Sequence, residues 1–243
     1  MFEDAKRRYL QAGGQSVFEP KAALIDMDGV LFDSMPNHAD SWVQVIHGLG
    51  LPFTREEAYL HEGRTGRGTI EIIFRRELHR DPTDQEVNHL YTTKARLFDE
   101  MPKPAEMPGA LDLLDAIRDS GVMRVLVTGS GQRLLLGRID RHFPGHFTED
   151  HMVTAFDVTQ GKPFPEPYLM GLKKAGVGPA QAVVIENAPL GVQAGKAAGI
   201  FTIAVNTGPL DDHYLWDAGC DLLFHNMAEL KAAWNEVVKP LAI

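Results

Sequence analysis

Four continuous apolar runs, each followed at once by polar residues, constrain this chain more than any other feature. Lys21 opens the first, AALID; the others are MRVLVTGS, AVVIENA and FTIAVNTG. A strand covered on both faces reads this way, and parallel sheets are built from such strands. Helical patterns separate them: GALDLLDAIRDSG, GQRLLLGRIDRHF, PEPYLMGLKKAG and LGVQAGKAAG, each stopped by Gly or Pro. Strand alternating with helix predicts an α/β fold with a doubly wound, Rossmann-like parallel sheet.

Residues 34–103 break this rhythm. They carry helical periodicity in HADSWVQVIHGLG, TIEIIFRREL and DQEVNHLYTTKARLFDEM, and no apolar strand run. An all-helical insertion after the first strand is expected, bordered by Pro36 on one side and Pro102 and Pro104 on the other. The expected organisation is an arm over 1–20, a catalytic core over 21–33 and 104–243, and a helical cap over 34–103. The arm reads as a short helix ahead of the domain.

Of 243 residues 44% are hydrophobic and 23% charged, as in an ordinary soluble globular protein. The net charge of -9 argues against nucleic acid or an anionic membrane surface as partner. No stretch approaches the ~20 apolar residues of a membrane span. The N-terminus lacks the apolar segment of a secretory signal. The single cysteine, Cys220, excludes an intramolecular disulfide and sits in the apolar run AGCDLLF, where a core residue is expected. A cytoplasmic monomer is the expectation.

Ligands of open α/β sheets bind at the carboxyl ends of the strands. Behind the first run come Asp26 and Asp28, two carboxylates two residues apart. One can attack phosphorus while the other gives and takes protons; an Asp-Gly turn is the plainer alternative. Behind the second come Thr128, Gly129 and Ser130, whose hydroxyls and N–H groups can hold a phosphoryl oxygen or simply cap a helix. Lys162 stands among prolines in GKPFPEPY, either fixed beside the nucleophile or solvated. Glu186 and Asn187 follow AVVI; they suit a hard cation such as Mg²⁺, though Asn187 can instead cap the next helix.

Taken together and in this order, DMDGVLFDS, VTGS, GKPFPEPY and IENAPLGVQAGKAAG resemble the four motifs of the haloacid-dehalogenase-like superfamily, over residues 21–225. The resemblance implies an aspartyl-phosphate on Asp26 and acid–base chemistry by Asp28. It also implies Mg²⁺ held by Asp26, the Asp28 backbone carbonyl, Glu186 and Asn187, with a mobile cap. Dehalogenases of this fold lack the second aspartate, so phosphoryl transfer is favoured. Within the superfamily the chain looks most like β-phosphoglucomutase. His38 and Trp42 match its hinge segment and Lys94 a cap lysine, although packing and solvation explain them equally well.

Two departures stand out. The mutase usually has Glu-Asp where this chain has Glu186-Asn187. In the loop HEGRTGR it has a lysine at Glu62 and a phosphate-gripping arginine at Gly66; Arg64 or Arg67 can substitute. A cap glutamate facing a phosphate makes sense with a cation between them, and Glu62 would restore the charge that Asn187 removes. This pairing resembles an inorganic pyrophosphatase branch, in which a cap tyrosine, here Tyr91, narrows the leaving-group space. An exposed loop acid and a core aromatic are the alternatives for Glu62 and Tyr91. The reading is therefore Mg²⁺-dependent pyrophosphate hydrolysis. A β-phosphoglucomutase or small sugar-phosphate phosphatase stands second, and a metal-independent binding protein third.

Overall fold

The computed structural model describes residues 1–130 and 135–243. In chain order its strands are β1 (Val17–Phe18), β2 (Ala22–Ile25), β3 (Met123–Val127), β4 (Met152–Val153), β5 (Ala182–Glu186), β6 (Phe201–Val205), β7 (Leu222–Phe224) and β8 (Leu241–Ala242). The helices are α1 (Phe2–Gly13), α2 (Met35–His47), α3 (Arg55–Leu60), α4 (Gly66–Leu78), α5 (Asp84–Glu100), α6 (Ala110–Asp119), α7 (Leu135–His142), α8 (Glu166–Ala175), α9 (Pro189–Ala197), α10 (His213–Asp217) and α11 (Met227–Val238). The expected helix GQRLLLGRIDRHF is found as α7, while its first residues, 131–134, lie outside the described residues.

Alternation along β2 explains the layers. Ala23 and Ile25 point into one apolar cluster, with Leu113 and Ile117 of α6 and Leu230 and Trp234 of α11. Ala22 and Leu24 point into another, with Tyr168 and Leu172 of α8 and Ala194 of α9. Successive strand residues face opposite sides, so an all-apolar strand requires helices on both. The parallel sheet runs β4-β3-β2-β5-β6-β7 among the described strands. Connections turn one way from β2 through β3 to β4, then cross to β5 on the other side of β2. The carboxyl ends of β2 and β5 flank that reversal, where a doubly wound sheet opens a crevice. β4 and β7, two and three residues long, lie at the sheet's edges.

The arm corrects its expectation. Helix α1 does not stand ahead of the domain; Ala5, Tyr9 and Leu10 enter the same cluster as α6 and α11. Lys6 is buried and its Nζ donates to the carbonyls of Glu236 and Lys239 at 2.5 and 2.8 Å. Those carbonyls end α11, where a helix leaves acceptors unfilled and favours a cation. β1 pairs antiparallel with β8, joining the two ends of the chain. Cys220 is buried, as expected of a core residue.

Helices α2 to α5 bury an apolar cluster of their own around Ile46, Phe53, Ile70, Ile73 and Phe74. Thr54, Thr65 and Thr83 cap α3, α4 and α5 by accepting from backbone N–H groups. The two connections to the sheet domain lie side by side, with Asn37 donating to the Pro102 carbonyl at 2.8 Å. Leu210, from the loop after β6, enters the insertion's cluster. None of the described helices is long and apolar enough to cross a membrane.

Candidate active site

The strand ends bring the four sequence motifs together. Asp26 follows β2, Thr128 follows β3 and Glu186 ends β5, all buried. Lys162 reaches the same point from the loop before α8. Its Nζ contacts Asp26 Oδ1 and lies 2.5 Å from Glu186 Oε1. A buried ammonium between two carboxylates keeps its proton: burial works against the charge, but Asp26 and Glu186 outweigh it, and the lysine's pKa is raised. Asp26 is also pushed upward, away from an ordinary carboxylate. Burial raises its pKa, Lys162 opposes, and the like charges of Glu186 and Asp28 add to the rise.

Asp28 is two residues along, at a turn that requires glycine. Gly29 has φ +77°, and a Cβ there would lie 2.0 Å from Asn187 Nδ2. Ser34 Oγ donates to Asp28 Oδ1 at 2.5 Å, and His38 Nε2 lies 3.3 Å from the same oxygen. Lys94 Nζ lies 2.5 Å from His38 Nδ1. An ammonium has only protons to give, so Nδ1 accepts and the ring proton sits on Nε2, toward Asp28. Burial would raise the Asp28 pKa, but His38, Ser34 and Lys94 outweigh it and hold the carboxyl below the usual range. Burial pushes Lys94 down to about 8, with Asp28 pulling it back. His38 and Lys94, expected at the substrate, thus line the cavity and also form a relay from α5 through α2 to Asp28.

Glu186, expected as a metal ligand, has both oxygens engaged by the protein. Oε1 accepts from Tyr168 Oη at 2.6 Å and faces Lys162; Oε2 accepts from the N–H groups of Asn187 and Ala188. Asn187 differs. Its Nδ2 donates to Glu62 Oε1 at 2.9 Å, while its Oδ1 is buried with no partner among the described residues. Glu62 itself is buried, and its pKa is raised by burial, then by Asp26. A hard cation fits this donor set. It would take the orphaned amide oxygen and relieve the repulsion among Asp26, Asp28 and Glu62, all oxygen donors. No cluster of three His, Cys, Asp or Glu side chains suited to a metal occurs among the described residues, so a site here needs the Asn187 amide or a backbone carbonyl.

The insertion closes over these groups. Gly63, at φ +81°, has its Cβ position 2.8 Å from Lys162 Cδ, so the loop after α3 rests directly on the lysine. A Cβ on Gly66 would meet the Tyr91 ring at 2.2 Å; the aromatic edge fills the place a side chain would take. Gly129, Ser130, Trp42, Tyr91 and Arg64 join the wall of a cavity of about 110 Å³ containing Asp26, Asp28 and Glu62. Arg67 turns away: it is exposed and pairs with Asp84 at 2.7 Å. Sequence reasoning missed Ser34 and Tyr168 although both stand inside the motifs. It also missed Thr207, whose Oγ1 donates to the Gly29 carbonyl at 2.6 Å, although it follows the fourth apolar run, FTIAV.

The motif geometry meets an independent finding at this point: the family model for haloacid dehalogenase-like hydrolases matches residues 20–199. The chain belongs to the haloacid dehalogenase-like hydrolases. Its structural neighbours place it among their β-phosphoglucomutase-like members. A Bacteroides vulgatus protein provisionally described as a beta-phosphoglucomutase is 53% identical, with a TM-score of 0.94 and 98% of each chain covered. A phosphorylated carbohydrates phosphatase of Thermotoga maritima is 32% identical over 181 residues, 74% of this chain and 82% of the relative. Hexitol phosphatase A of Escherichia coli is 30% identical over 211 residues, 86% and 93%. The doubly wound sheet is therefore that of this hydrolase family, and the chain is an enzyme of its phosphatase class.

Proposed function

We propose that this enzyme hydrolyses small phosphorylated compounds through an aspartyl-phosphate on Asp26. One observation carries the reading: Asp26, in contact with Lys162 at the end of β2, shares a cavity with Asp28. In the first step a carboxylate oxygen of Asp26 bonds to phosphorus as the bond to the leaving oxygen breaks, and Asp28 gives that oxygen a proton. In the second, Asp28 takes a proton from water, whose oxygen displaces Asp26 and releases phosphate. The ionised Asp28 described above is the base form; a phosphate dianion arriving beside it raises its pKa and favours the acid form. Mg²⁺ held by Asp26, Asn187 and the Asp28 carbonyl would neutralise charge on the phosphoryl oxygens. Lys162 supplies a fixed positive charge, and Gly129 and Ser130 of the cavity wall, with Thr128 beside them at the end of β3, are the candidates for holding the phosphoryl oxygens. Glu186 acts as a positioning residue for Lys162 and Asn187.

The relatives' names favour phosphate esters of carbohydrates and polyols, the reading placed second from sequence, over inorganic pyrophosphate. Pyrophosphate keeps a specific observation in its support: Glu62 reaches Asn187, Tyr91 fills the Gly66 position, and the cavity is small beside the ~300–1,000 Å³ usual for small-molecule sites. Phosphate release from hexose, hexitol and glycerol phosphates and from pyrophosphate, with and without Mg²⁺, tests both. We expect Mg²⁺-dependent release with an ester as best substrate. A higher kcat/KM for pyrophosphate would select the second reading, and release from none would remove both. Conversion of β-glucose 1-phosphate to glucose 6-phosphate would mark a mutase instead.

A further inference from the structure

One short loop, the segment after β6, touches both the catalytic turn and the helical insertion. Asn206 fixes it to the sheet domain. Its backbone N–H donates to the Phe224 carbonyl at 2.7 Å, and its Nδ2 donates to the Leu210 carbonyl at 2.8 Å and to Asp212 Oδ1 at 2.7 Å. From this frame Thr207 Oγ1 reaches the Gly29 carbonyl. The Cβ position of Gly208 lies 3.3 Å from the Tyr59 ring of α3. Leu210 is buried in the insertion's apolar cluster, and Tyr214 packs against the same cluster.

Gly29 is the sensitive end of this connection. The N–H groups of Gly29, Val30, Leu31 and Phe32 all donate within the turn, to the carbonyls of Phe32 or Met27. Thr207 holds this self-contained turn from outside, one residue past Asp28. The same glycine lies against Asn187, whose Nδ2 is 2.0 Å from its Cβ position. Gly29 is buried, so its carbonyl deprived of the hydroxyl turns toward another donor, and the turn moves with it. Thr207 itself lines not the active cavity but a second crevice of about 700 Å³ between insertion and sheet domain, with Asp33, Tyr59 and Tyr214. It can act on Asp28 without meeting the substrate.

We propose that Thr207 is a positioning residue for Asp28 and that Leu210 links it to the insertion, so that seating the insertion on the sheet domain aims the acid–base carboxylate. The kinetic consequence rests on the phosphatase reading; the mechanical link does not.

Thr207→Val keeps the side chain's shape and removes its hydroxyl. It should lower kcat by ~10–100-fold, the loss that a displaced reacting group brings, with KM unmoved for the best of the hexose, hexitol and glycerol phosphates. Single-turnover kinetics should show both formation and breakdown of the aspartyl-phosphate slowed, because Asp28 serves both. Thr207→Ser should restore most of kcat. Asp211→Asn, in the same loop but exposed and bonded to His213, should leave turnover unchanged. Hydrogen exchange reads the link without turnover. Losing one buried hydrogen bond should speed exchange in residues 27–33 by ~10-fold in Thr207→Val. Leu210→Ala, altered only where the loop enters the insertion, should also lower protection of 27–33, while α8 in the other apolar cluster keeps its own. Wild-type kcat in Thr207→Val, a loss confined to KM, failed rescue by serine, or unchanged exchange at 27–33 in Leu210→Ala would overturn the proposal. The Leu210 measurement decides the link even where Thr207→Val does not fold. A wild type that releases phosphate from no compound, with exchange at 27–33 responding as expected, would overturn the phosphatase reading and leave the link standing.

Discussion

The sheet-domain half of the site and the insertion half are built on different rules. Asp26, Thr128, Glu186 and Asn187 come from strand ends, and the sheet register sets their separation: Ala22 pairs with both Met123 and Ala182. Glu62, Arg64, Tyr91 and Lys94 come from helices and a loop with a separate apolar cluster, and they reach the site by packing across a gap. The first half is suited to unvarying chemistry, because moving one residue there means moving a strand. The second can change its contacts without disturbing the sheet, so substrate choice belongs with it.

The largest expected effect breaks this comparison at the strand-end half. Asp26→Asn should lower turnover by on the order of 10⁴-fold or more, as loss of a nucleophile does, with the thermal transition retained. Purified variant of confirmed mass with near-normal activity would remove Asp26 from the role. Next, Asp28→Asn should slow both formation and breakdown of the aspartyl-phosphate, by ~10²–10⁴-fold. Single-turnover kinetics separate the two steps, and an unslowed pair of steps would count against Asp28. The smallest effect probes the seam between the halves. Asn187 donates to Glu62, so Asn187→Asp sets two carboxylates face to face, and Glu62→Gln leaves two amides. Glu62→Gln should weaken apparent Mg²⁺ affinity in the presence of substrate, and Asn187→Asp, which adds a negative charge beside a hard cation, should strengthen it. The double variant exchanges acid and amide and should recover part of the Glu62→Gln loss, with a coupling of ~0.5–3 kcal/mol. Strictly additive effects would show that Glu62 and Asn187 do not share a partner.

The same division governs what the sequence makes legible. AALID and AVVIENA declare themselves as buried strands, and strand ends of a doubly wound sheet point to a crevice, so Asp26 and Asn187 stand out from the residue pattern alone. β4 and β7 are too short to show periodicity. Glu186 is visible as a strand-end acid, but its neighbours are not: the Tyr168 hydroxyl and two backbone N–H groups decide where its oxygens go. In the insertion, helical period identifies α2, α4 and α5 but says nothing of which loop residue lands on Lys162. Sequence does not separate Arg64 from Arg67, whereas in the fold Arg64 lines the cavity and Arg67 pairs with an exposed aspartate, Asp84, that no motif links to it. The α1 helix has an apolar stripe at Ala5, Tyr9 and Leu10, yet burial of Lys6 depends on carbonyls at the other end of the chain.

That last feature bears on how the molecule is made. Val17 pairs with Ala242 and Lys6 with the end of α11, contacts almost the full length of the chain apart. Domains begin to fold N-terminus first during synthesis, but here Lys6 of α1 has to wait for the end of α11. Until residues 236–239 are made, the ammonium of Lys6 has no carbonyls to receive it, although Tyr9 can already pack on Phe18 and Phe201. Such distant contacts form slowly, because a long loop must close before they yield any stabilisation. Fastening Lys6 therefore follows the closure of that long loop, and a chain lacking the end of α11 leaves a buried ammonium without its acceptors.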